Sequence, residues 1–338
     1  MRWYRSLLLI STLLTFAVIA LGAYVRLSDA GLGCPDWPGC YGHWVGVPDA
    51  AHEVAAASAA FPDQPLEAHK AWKEMVHRYF AGVLGLLIVS IAALAWRRRA
   101  ALRESPWLPT ALVAIVTVQA LLGMWTVTRL LRPVIVSAHL LGGMTTLAVL
   151  VWLLLRQRQP SARPLSPAPA LIVPAALALV AVVVQIALGG WVSSNYAALA
   201  CSDFPTCGGA WLPEMDLARA FELHRELGYS ADGALLPNAA LTAIHWLHRV
   251  GALVVAGLVG GVSLALLRRP DWRPWGIWLA GALLAQIALG IAIVVLRLPL
   301  PLAVAHNAGA ALLLCVTLAL NFRLAQAAQP TMQRTPPL

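Results

Sequence analysis

The stretch VHRYFAGVLGLLIVSIAALAW, residues 76–96, carries no charged side chain beyond Arg78. Its length matches a bilayer, because a helix of about 20 apolar residues crosses a hydrocarbon core of roughly 30 Å. A helix also bonds every backbone amide internally, as lipid requires. Seven further runs have this character, at residues 7–26, 108–128, 134–155, 171–192, 243–267, 275–296 and 302–322. The sequence therefore predicts an all-α membrane protein with eight transmembrane helices.

Bulk composition and charge agree with this prediction. Of the 338 residues, 60% are hydrophobic and 12% are charged, which is more apolar than a soluble domain needs. The net charge of +9 comes from arginines between helices on the side of the N-terminus, and such segments are cytoplasmic by the positive-inside rule. We therefore predict a multi-pass protein of the cell inner membrane with both termini in the cytoplasm. The charge follows from topology, so we expect no nucleic acid partner.

The first apolar run, residues 7–26, is too long for the apolar region of a cleaved signal peptide. We expect it to be retained as the first transmembrane helix.

An internal repeat divides the chain into two halves. At an offset of 167 residues, Cys34 aligns with Cys201, Cys40 with Cys207, Gln119 with Gln286 and His139 with His306; at an offset of 171, His77-Arg78 aligns with His248-Arg249. Because each half has an even number of helices, both enter the membrane from the same side. The repeat predicts two tandem, parallel four-helix bundles related by a pseudo-two-fold axis along the membrane normal. The expected parts are a first half 1–156, a cytoplasmic linker 157–169, a second half 170–325 and a disordered tail 326–338.

Four histidines at repeat-related positions are the main candidates for chemistry: His77, His139, His248 and His306. Each lies two to six residues from the outer end of its predicted helix, so all four are expected at a similar depth. Ionisable groups inside a membrane are costly and are functional candidates by default. Imidazoles on separate helices suit paired axial ligation of haem iron. The spacings H-x-x-x-H and C-x-x-C, which are typical of zinc sites, do not occur in the sequence.

The two halves differ three residues before the first histidine of each pair, where Glu74 stands in the first half and His245 in the second. A spacing of three residues puts each on the helix face of its histidine. A carboxylate there, at an outer edge that water reaches, is a candidate base or charge stabiliser. Arg78 and Arg249 directly follow a histidine and fit either of two interpretations, contacts to haem propionates or interfacial snorkelling.

Both long outer segments open with a C-x5-C pair, Cys34 with Cys40 and Cys201 with Cys207. In an oxidising compartment such pairs are expected to be disulfides. Two interpretations stay open, a structural staple of the loop and a redox-active pair.

These motifs together resemble the haem A synthase family of the CtaA type (the COX/CtaA family). The resemblance covers nearly the whole chain and rests on Gly22-Ala-Tyr-Val-Arg-Leu-Ser28, the loop Gly31-Leu-Gly-Cys-Pro-Asp-Trp-Pro-Gly-Cys-Tyr-Gly42, Glu74-x-x-His77-Arg78 and the three later helical histidines. It implies oxidation of the C8 methyl of haem O to the formyl group of haem A, for use in terminal oxidases. A second cysteine pair, in the second half, departs from some members and leaves the role of the thiols open.

The resemblance also implies roles for individual residues. His248 and His306 would hold a haem b cofactor in the second half. His77 and His139 would line the site of the substrate haem in the first half. Glu74 resembles the catalytic carboxylate of the family. The partners implied are haem O, haem O synthase, and a quinone or another electron acceptor.

Three other functions compete with this interpretation. A haem b electron-transfer cytochrome needs the same four histidines but no carboxylate in one half alone, so Glu74 favours the enzyme. A quinone-linked thiol oxidase would use the outer cysteine pairs but leaves the histidines unexplained. A transporter could be built from tandem halves, yet the predicted helices carry no charged residue near mid-bilayer.

Overall fold

The computed structural model describes residues 2–102, 105–157 and 165–328. Within these residues, eight helices are long and apolar enough to cross a membrane, and the only β pairing consists of isolated bridges in loops. The helices are α1 (Arg2–Leu27), α2 (Ala68–Arg97), α3 (Trp107–Thr128), α4 (Pro133–Arg156), α5 (Ile172–Ser194), α6 (Asn238–Leu267), α7 (Arg273–Val295) and α8 (Leu300–Ala327). The prediction of an all-α protein with eight membrane-length helices is confirmed.

Several helices are longer than the apolar runs that predicted them. Helix α2 begins at Ala68 and α6 at Asn238, although the predicted runs start at residues 76 and 243. The extra turns of α2 carry Lys70, Lys73 and Glu74, which a search for uncharged segments excludes. Helix formation continues through them because a backbone at the membrane surface can still complete its hydrogen-bond ladder.

The helices of each half contact one another in a closed ring. In the first half α1 packs on α2, α2 on α3, α3 on α4, and α4 on α1. The second half repeats this order with α5, α6, α7 and α8. Such a ring is the contact pattern of an up-and-down four-helix bundle.

The two rings meet through α1 and α4 on one side and α5 and α8 on the other, with contacts of α1 with α8, α4 with α5, and α4 with α8. Polar bonds support this interface. The Arg26 guanidinium donates to the Ser193 carbonyl at 3.0 Å, and the hydroxyls of Ser137 and Ser194 are 3.1 Å apart. Because lipid is as apolar as leucine, packing and such bonds hold membrane helices together.

Both long outer loops fold over the ends of their bundles. Each contains a short helix, Ala51–Ala60 in the first and Leu217–Ala220 in the second. Buried residues under the first loop include Cys34, Cys40 and Met75, so the loop packs directly on the outer part of α2. The last part of the segment between the first two apolar runs, from Ala68 onwards, belongs to helix α2.

Parts of the predicted linker and tail lie outside the described residues, namely 158–164 and 329–338. The described end of the linker forms a 3-10 turn, Pro169–Leu171, before α5. Ser166 accepts a hydrogen bond from the Trp272 indole at 3.0 Å, which ties this segment to the turn before α7. The tail was predicted to begin at residue 326, but α8 continues to Ala327.

Candidate functional site

Each of the four candidate histidines packs against a glycine on the neighbouring helix. The pairs are His77 with Gly22, His139 with Gly123, His248 with Gly189, and His306 with Gly290. The nearest ring atom lies 3.0 to 3.4 Å from the point that a Cβ on the glycine would occupy. Any larger side chain would press on the imidazole, so the glycines provide the room in which the rings lie.

Two of the four histidines, His77 and His248, lie further from the outer ends of their helices than predicted. His77 lies nine residues after Ala68, the first residue of α2, which is about 14 Å along the axis. His248 lies similarly deep in α6, whereas His139 and His306 are each in the second turn of their helices. The expected distance of two to six residues is wrong for α2 and α6 because those helices begin earlier.

Three glutamines flank the histidines, and one of them was missed from the sequence. A glycine follows three of the histidines by three residues: Gly142 after His139, Gly251 after His248 and Gly309 after His306. The amides of Gln119, Gln185 and Gln286, respectively, occupy the space that a side chain on each glycine would need. The repeat drew attention to Gln119 and Gln286 because they align with each other. Gln185 aligns with Val18, so the repeat gave no signal for it.

Several buried polar atoms around the rings have no hydrogen-bond partner among the described residues. They are Nδ1 of His139, Nδ1 of His306, Oε1 of Gln185 and Oε1 of Gln286. A polar atom buried without a partner is costly. Imidazole nitrogens lying beside glycine in this way fit a flat, iron-containing macrocycle that would take up ring nitrogens as ligands.

Glu74 is buried and paired, which corrects the expectation of a carboxylate that water reaches. Its side chain is 7% exposed and lies 2.5 Å from the Arg78 guanidinium, one helical turn further along α2. The backbone N–H of Cys34 donates to Glu74 Oε2 at 3.0 Å. The carboxylate therefore lies between its own helix and the first disulfide loop, because the loop covers the helix face that the sequence left open to water.

The two arginines bind the disulfide loops. Arg78 donates to the carbonyl oxygens of Asp36 at 3.0 Å and Pro38 at 3.3 Å, and also to that of Gly39. Arg249 donates to those of Thr206 at 2.7 Å and Cys201 at 2.8 Å. A guanidinium has five N–H donors in a planar fork, and in both arginines terminal nitrogens of the fork hold a loop against its helix. A propionate contact for either arginine stays a prediction.

His245 replaces Glu74 in the second half in both sequence and contacts. The backbone N–H of Cys201 donates to His245 Nδ1 at 3.2 Å, as that of Cys34 does to Glu74. Arg249 Nε also lies 3.2 Å from His245 Nε2. The neighbouring loop is held in the same way, but the second half has no negative charge at this position.

Both cysteine pairs form disulfides, Cys34 with Cys40 and Cys201 with Cys207. An aspartate closes each loop from within. Asp36 accepts from the backbone N–H groups of Tyr41 and Gly42. Asp203 accepts from those of Gly208 and Gly209 and from the Thr206 hydroxyl, and these bonds hold the pKa of Asp203 well below its usual range.

Residues 5–318 match the model of the COX15-CtaA family, described as cytochrome oxidase assembly protein. The chain belongs to the COX15-CtaA family.

Individual members of this family match over nearly their full length. A protein of Shewanella oneidensis named haem A synthase is 44% identical over 319 residues, which cover 94% of this chain and 96% of that protein. Proteins with the same name from Rhizorhabdus wittichii and Halalkalibacterium halodurans are each 27% identical, over 92% and 90% of this chain respectively. The matched range of the COX15-CtaA model includes all four candidate histidines and both disulfide loops.

Replacement of Arg78 is expected to destabilise the protein. The variant Arg78→Gln leaves the Glu74 carboxylate buried without its partner, and breaking a buried pair in this way costs about 3 to 5 kcal/mol. Thermal unfolding in detergent should show a clear fall in the apparent Tm. Arg219→Gln is the matched control, because its pair with Asp216 is half-exposed and contributes little. Equal shifts in the two variants would contradict a stabilising role for the buried pair.

Asp203 is expected to hold the second loop over the neutral and mildly acidic range. Because its pKa is lowered in the folded protein, its stabilising effect is present above its ordinary pKa and is lost as the pH falls through the lower, folded-state value. Asp203→Asn should raise hydrogen exchange of the amides in residues 201–209 at neutral pH. Asp36→Asn, the repeat-related control, should leave that segment unchanged and affect residues 34–42 instead. Unaltered exchange in both loops would show that the disulfides alone order them.

Proposed function

We propose that this chain is a haem A synthase, which oxidises the C8 methyl of haem O to the formyl group of haem A. The observation that carries the proposal is the difference between two otherwise similar histidine sites. Each has a pair of half-buried imidazoles that lie against glycines, and only the first has a carboxylate one turn from its histidine. Membership of the COX15-CtaA family and the names of its full-length relatives support the same activity.

The second half, residues 170–325, is proposed as the cofactor half. His248 and His306 would hold the iron of haem b, and this group when bound supplies a one-electron redox centre. A glutamine amide lies beside each of these rings: Gln185 Nε2 is 3.0 Å from His248 Nδ1, and Gln286 Nε2 is 3.4 Å from His306 Nε2. Partners of this kind orient metal-binding imidazoles.

The first half, residues 1–156, is proposed as the substrate half. His77 and His139 would bind haem O, with the reacting methyl towards the outer face. Glu74 lies one turn from His77 and holds a negative charge under the loop. Oxidation of a methyl group removes electrons and adds oxygen, so positive charge develops at the reacting carbon. A fixed carboxylate can stabilise that charge or accept a proton from an attacking water.

The proposed topology has both termini in the cytoplasm of the cell inner membrane. Arginines cluster at one end of the bundles, for example at Arg97, Arg98, Arg268 and Arg269, and the disulfide loops lie at the other. The positive-inside rule favours a cytoplasmic location for the arginine end. The opposite side then faces an oxidising compartment, where disulfides persist.

Two partners complete the proposed function. Haem O synthase would supply the substrate, and a quinone or another electron acceptor would remove the electrons. The 157–169 segment would link the halves on the cytoplasmic side.

The four histidine variants are expected to fall into two classes. His248→Ala and His306→Ala should reduce the tightly bound haem b, because each removes an iron ligand from the cofactor half. His77→Ala and His139→Ala should leave haem b in place and alter the substrate haem. Pyridine haemochrome analysis and haem extraction from the purified variants measure both species. Loss of the same spectral species in all four variants would contradict the division into halves.

Glu74→Gln is the decisive variant for catalysis. Glutamine keeps the shape of the side chain and an acceptor for the Cys34 N–H, but it removes the charge. Haem binding should persist while haem A formation falls on the order of a hundredfold to a thousandfold, the usual effect of losing one electrostatic stabiliser. The measurement is haem A content in cells that have no other synthase.

Two control variants separate this chemistry from folding. Glu67→Gln makes the same chemical change at an exposed carboxylate paired with Lys70, and it should leave haem A formation unchanged. Arg78→Gln removes the other partner of the ion pair, so its haem A yield per folded protein reports how far the pair itself is needed. Haem A production at the wild-type level by Glu74→Gln would reduce Glu74 to a structural role.

A further inference from the structure

A pair of exposed apolar residues follows the disulfide in each outer loop. In the first loop these are Trp44 and Val45, each with a side chain that is 78% exposed. In the second loop they are Trp211 and Leu212, which are 73% and 72% exposed. The two pairs, residues 44–45 and 211–212, align at the repeat offset of 167 residues, and they are called the loop tips below. Neither haem site uses them.

The disulfides fix where each tip begins. The backbone of Cys40 pairs with that of His43, and the backbone of Cys207 pairs with that of Ala210. Each bridge closes a tight turn directly before the tip, so the tip leaves its loop at the same place in both halves. The sequence has no Asp, Glu, Lys or Arg from residue 41 to 48 or from residue 207 to 213. Each tip is therefore apolar, exposed and without charged neighbours along the chain.

Both tips are hydrogen-bonded to a membrane-length helix. The backbone N–H of Gly46, directly after the first tip, donates to the Tyr79 hydroxyl on α2 at 2.7 Å. The Trp246 indole on α6 donates to the Trp211 carbonyl at 2.9 Å. Tyr79 and Trp246 lie just inside the apolar runs of their helices, which start at residues 76 and 243. Three residues of helix span about 5 Å, so both tips lie beside the outer boundary of the apolar region.

The helix faces that hold the tips continue into lipid. Two helical turns further along α2 from Tyr79 lies Leu86, which is 70% exposed. Two turns along α6 from Trp246 lies Leu253, which is 73% exposed. Residues two turns apart share a helix face, and large exposed leucines inside a membrane-length helix contact acyl chains. A lipid-facing surface thus runs along each helix up to the tip that is bonded to it.

We propose that the two loop tips insert into the bilayer on the side of the disulfide loops, at the boundary between phospholipid headgroups and acyl chains. Tryptophan is enriched at this boundary because its ring is apolar while its N–H can still bond to headgroups or water. The aliphatic residue beside each tryptophan adds apolar area. The inference concerns how the loops are anchored, and it does not depend on the haem chemistry proposed above.

The test uses the full-length protein in nanodiscs that hold one molecule each, so that neither a second copy nor a partner protein covers the tips. The probe is phosphatidylcholine with a diazirine near the glycerol end of one acyl chain. After illumination, mass spectrometry measures the label on each peptide. Phe80, the exposed neighbour of Tyr79 on α2, is the reference for lipid at this depth. Leu235 is the matched negative control, because it is 76% exposed but precedes the start of α6 at Asn238.

Both tips are expected to be labelled at the level of Phe80. Their label should exceed that of Leu235 roughly tenfold, the factor by which burial of one such apolar side chain shifts an equilibrium. Label on the tips no higher than on Leu235 would overturn the inference, because the tips would then face water in a bilayer.

Charged variants test whether the tips enter by their own side chains. Val45→Asp should lower the label on residues 44–45 by a similar factor and leave residues 211–212 unchanged, and Leu212→Asp should do the reverse. Leu235→Asp should change neither. The replaced side chains are exposed, so the fold is retained, and mass spectrometry of the non-reduced protein verifies both disulfides. Tip labelling that Val45→Asp and Leu212→Asp leave unaltered would also overturn the inference. Failure of the proposed haem A synthase activity would leave all these results unaffected, since no readout depends on haem.

Discussion

The contact between each half-buried imidazole and a glycine of the neighbouring helix is the constraint on which the rest of the structure depends. An imidazole inside a bundle needs both space and hydrogen-bond partners, since lipid supplies neither. Glycine provides the space because it has no side chain. The position of the glycine one helix away then sets which helices must be neighbours, and the ring order of each half satisfies both of its histidine–glycine contacts.

A second constraint acts at the outer end, where a charged pair is buried under a loop. Glu74 and Arg78 lie one turn apart on α2, and neither has bulk water to solvate it. The first disulfide loop replaces that water, since its backbone N–H groups face the carboxylate and its carbonyl groups face the guanidinium. The loop is thus part of the solvation of the site, which explains why a segment far from the middle of the membrane packs so closely against the helix that carries His77.

Much of this arrangement follows from the sequence because lipid restricts the choices of the chain. Eight apolar runs give eight helices, and the repeat selects the four histidines from the nine in the sequence. The outer ends of α2 and α6 could not be placed, because charged residues stop the apolar run of α2 and the polar Asn238 and Thr242 flank that of α6, while both helices continue. The pairing of Glu74 with Arg78 was open to prediction, since residues four apart on a helix are neighbours. The contacts of Arg78 and Arg249 with loop carbonyls depend on how the loops fold, and Gln185 has no counterpart in the repeat to mark it.

The interface between the halves has a consequence for how such a protein could arise. In the repeat, α1 corresponds to α5 and α4 corresponds to α8. The contact of α1 with α8 therefore corresponds to that of α5 with α4, and α4 contacts its own counterpart, α8. This is the self-complementary surface of a symmetric dimer. Two separate copies of one four-helix chain would carry identical residues at every position of both sites. In this single polypeptide position 74 is glutamate where 245 is histidine, and position 18 is valine where 185 is glutamine, a difference between equivalent positions that a homodimer cannot have.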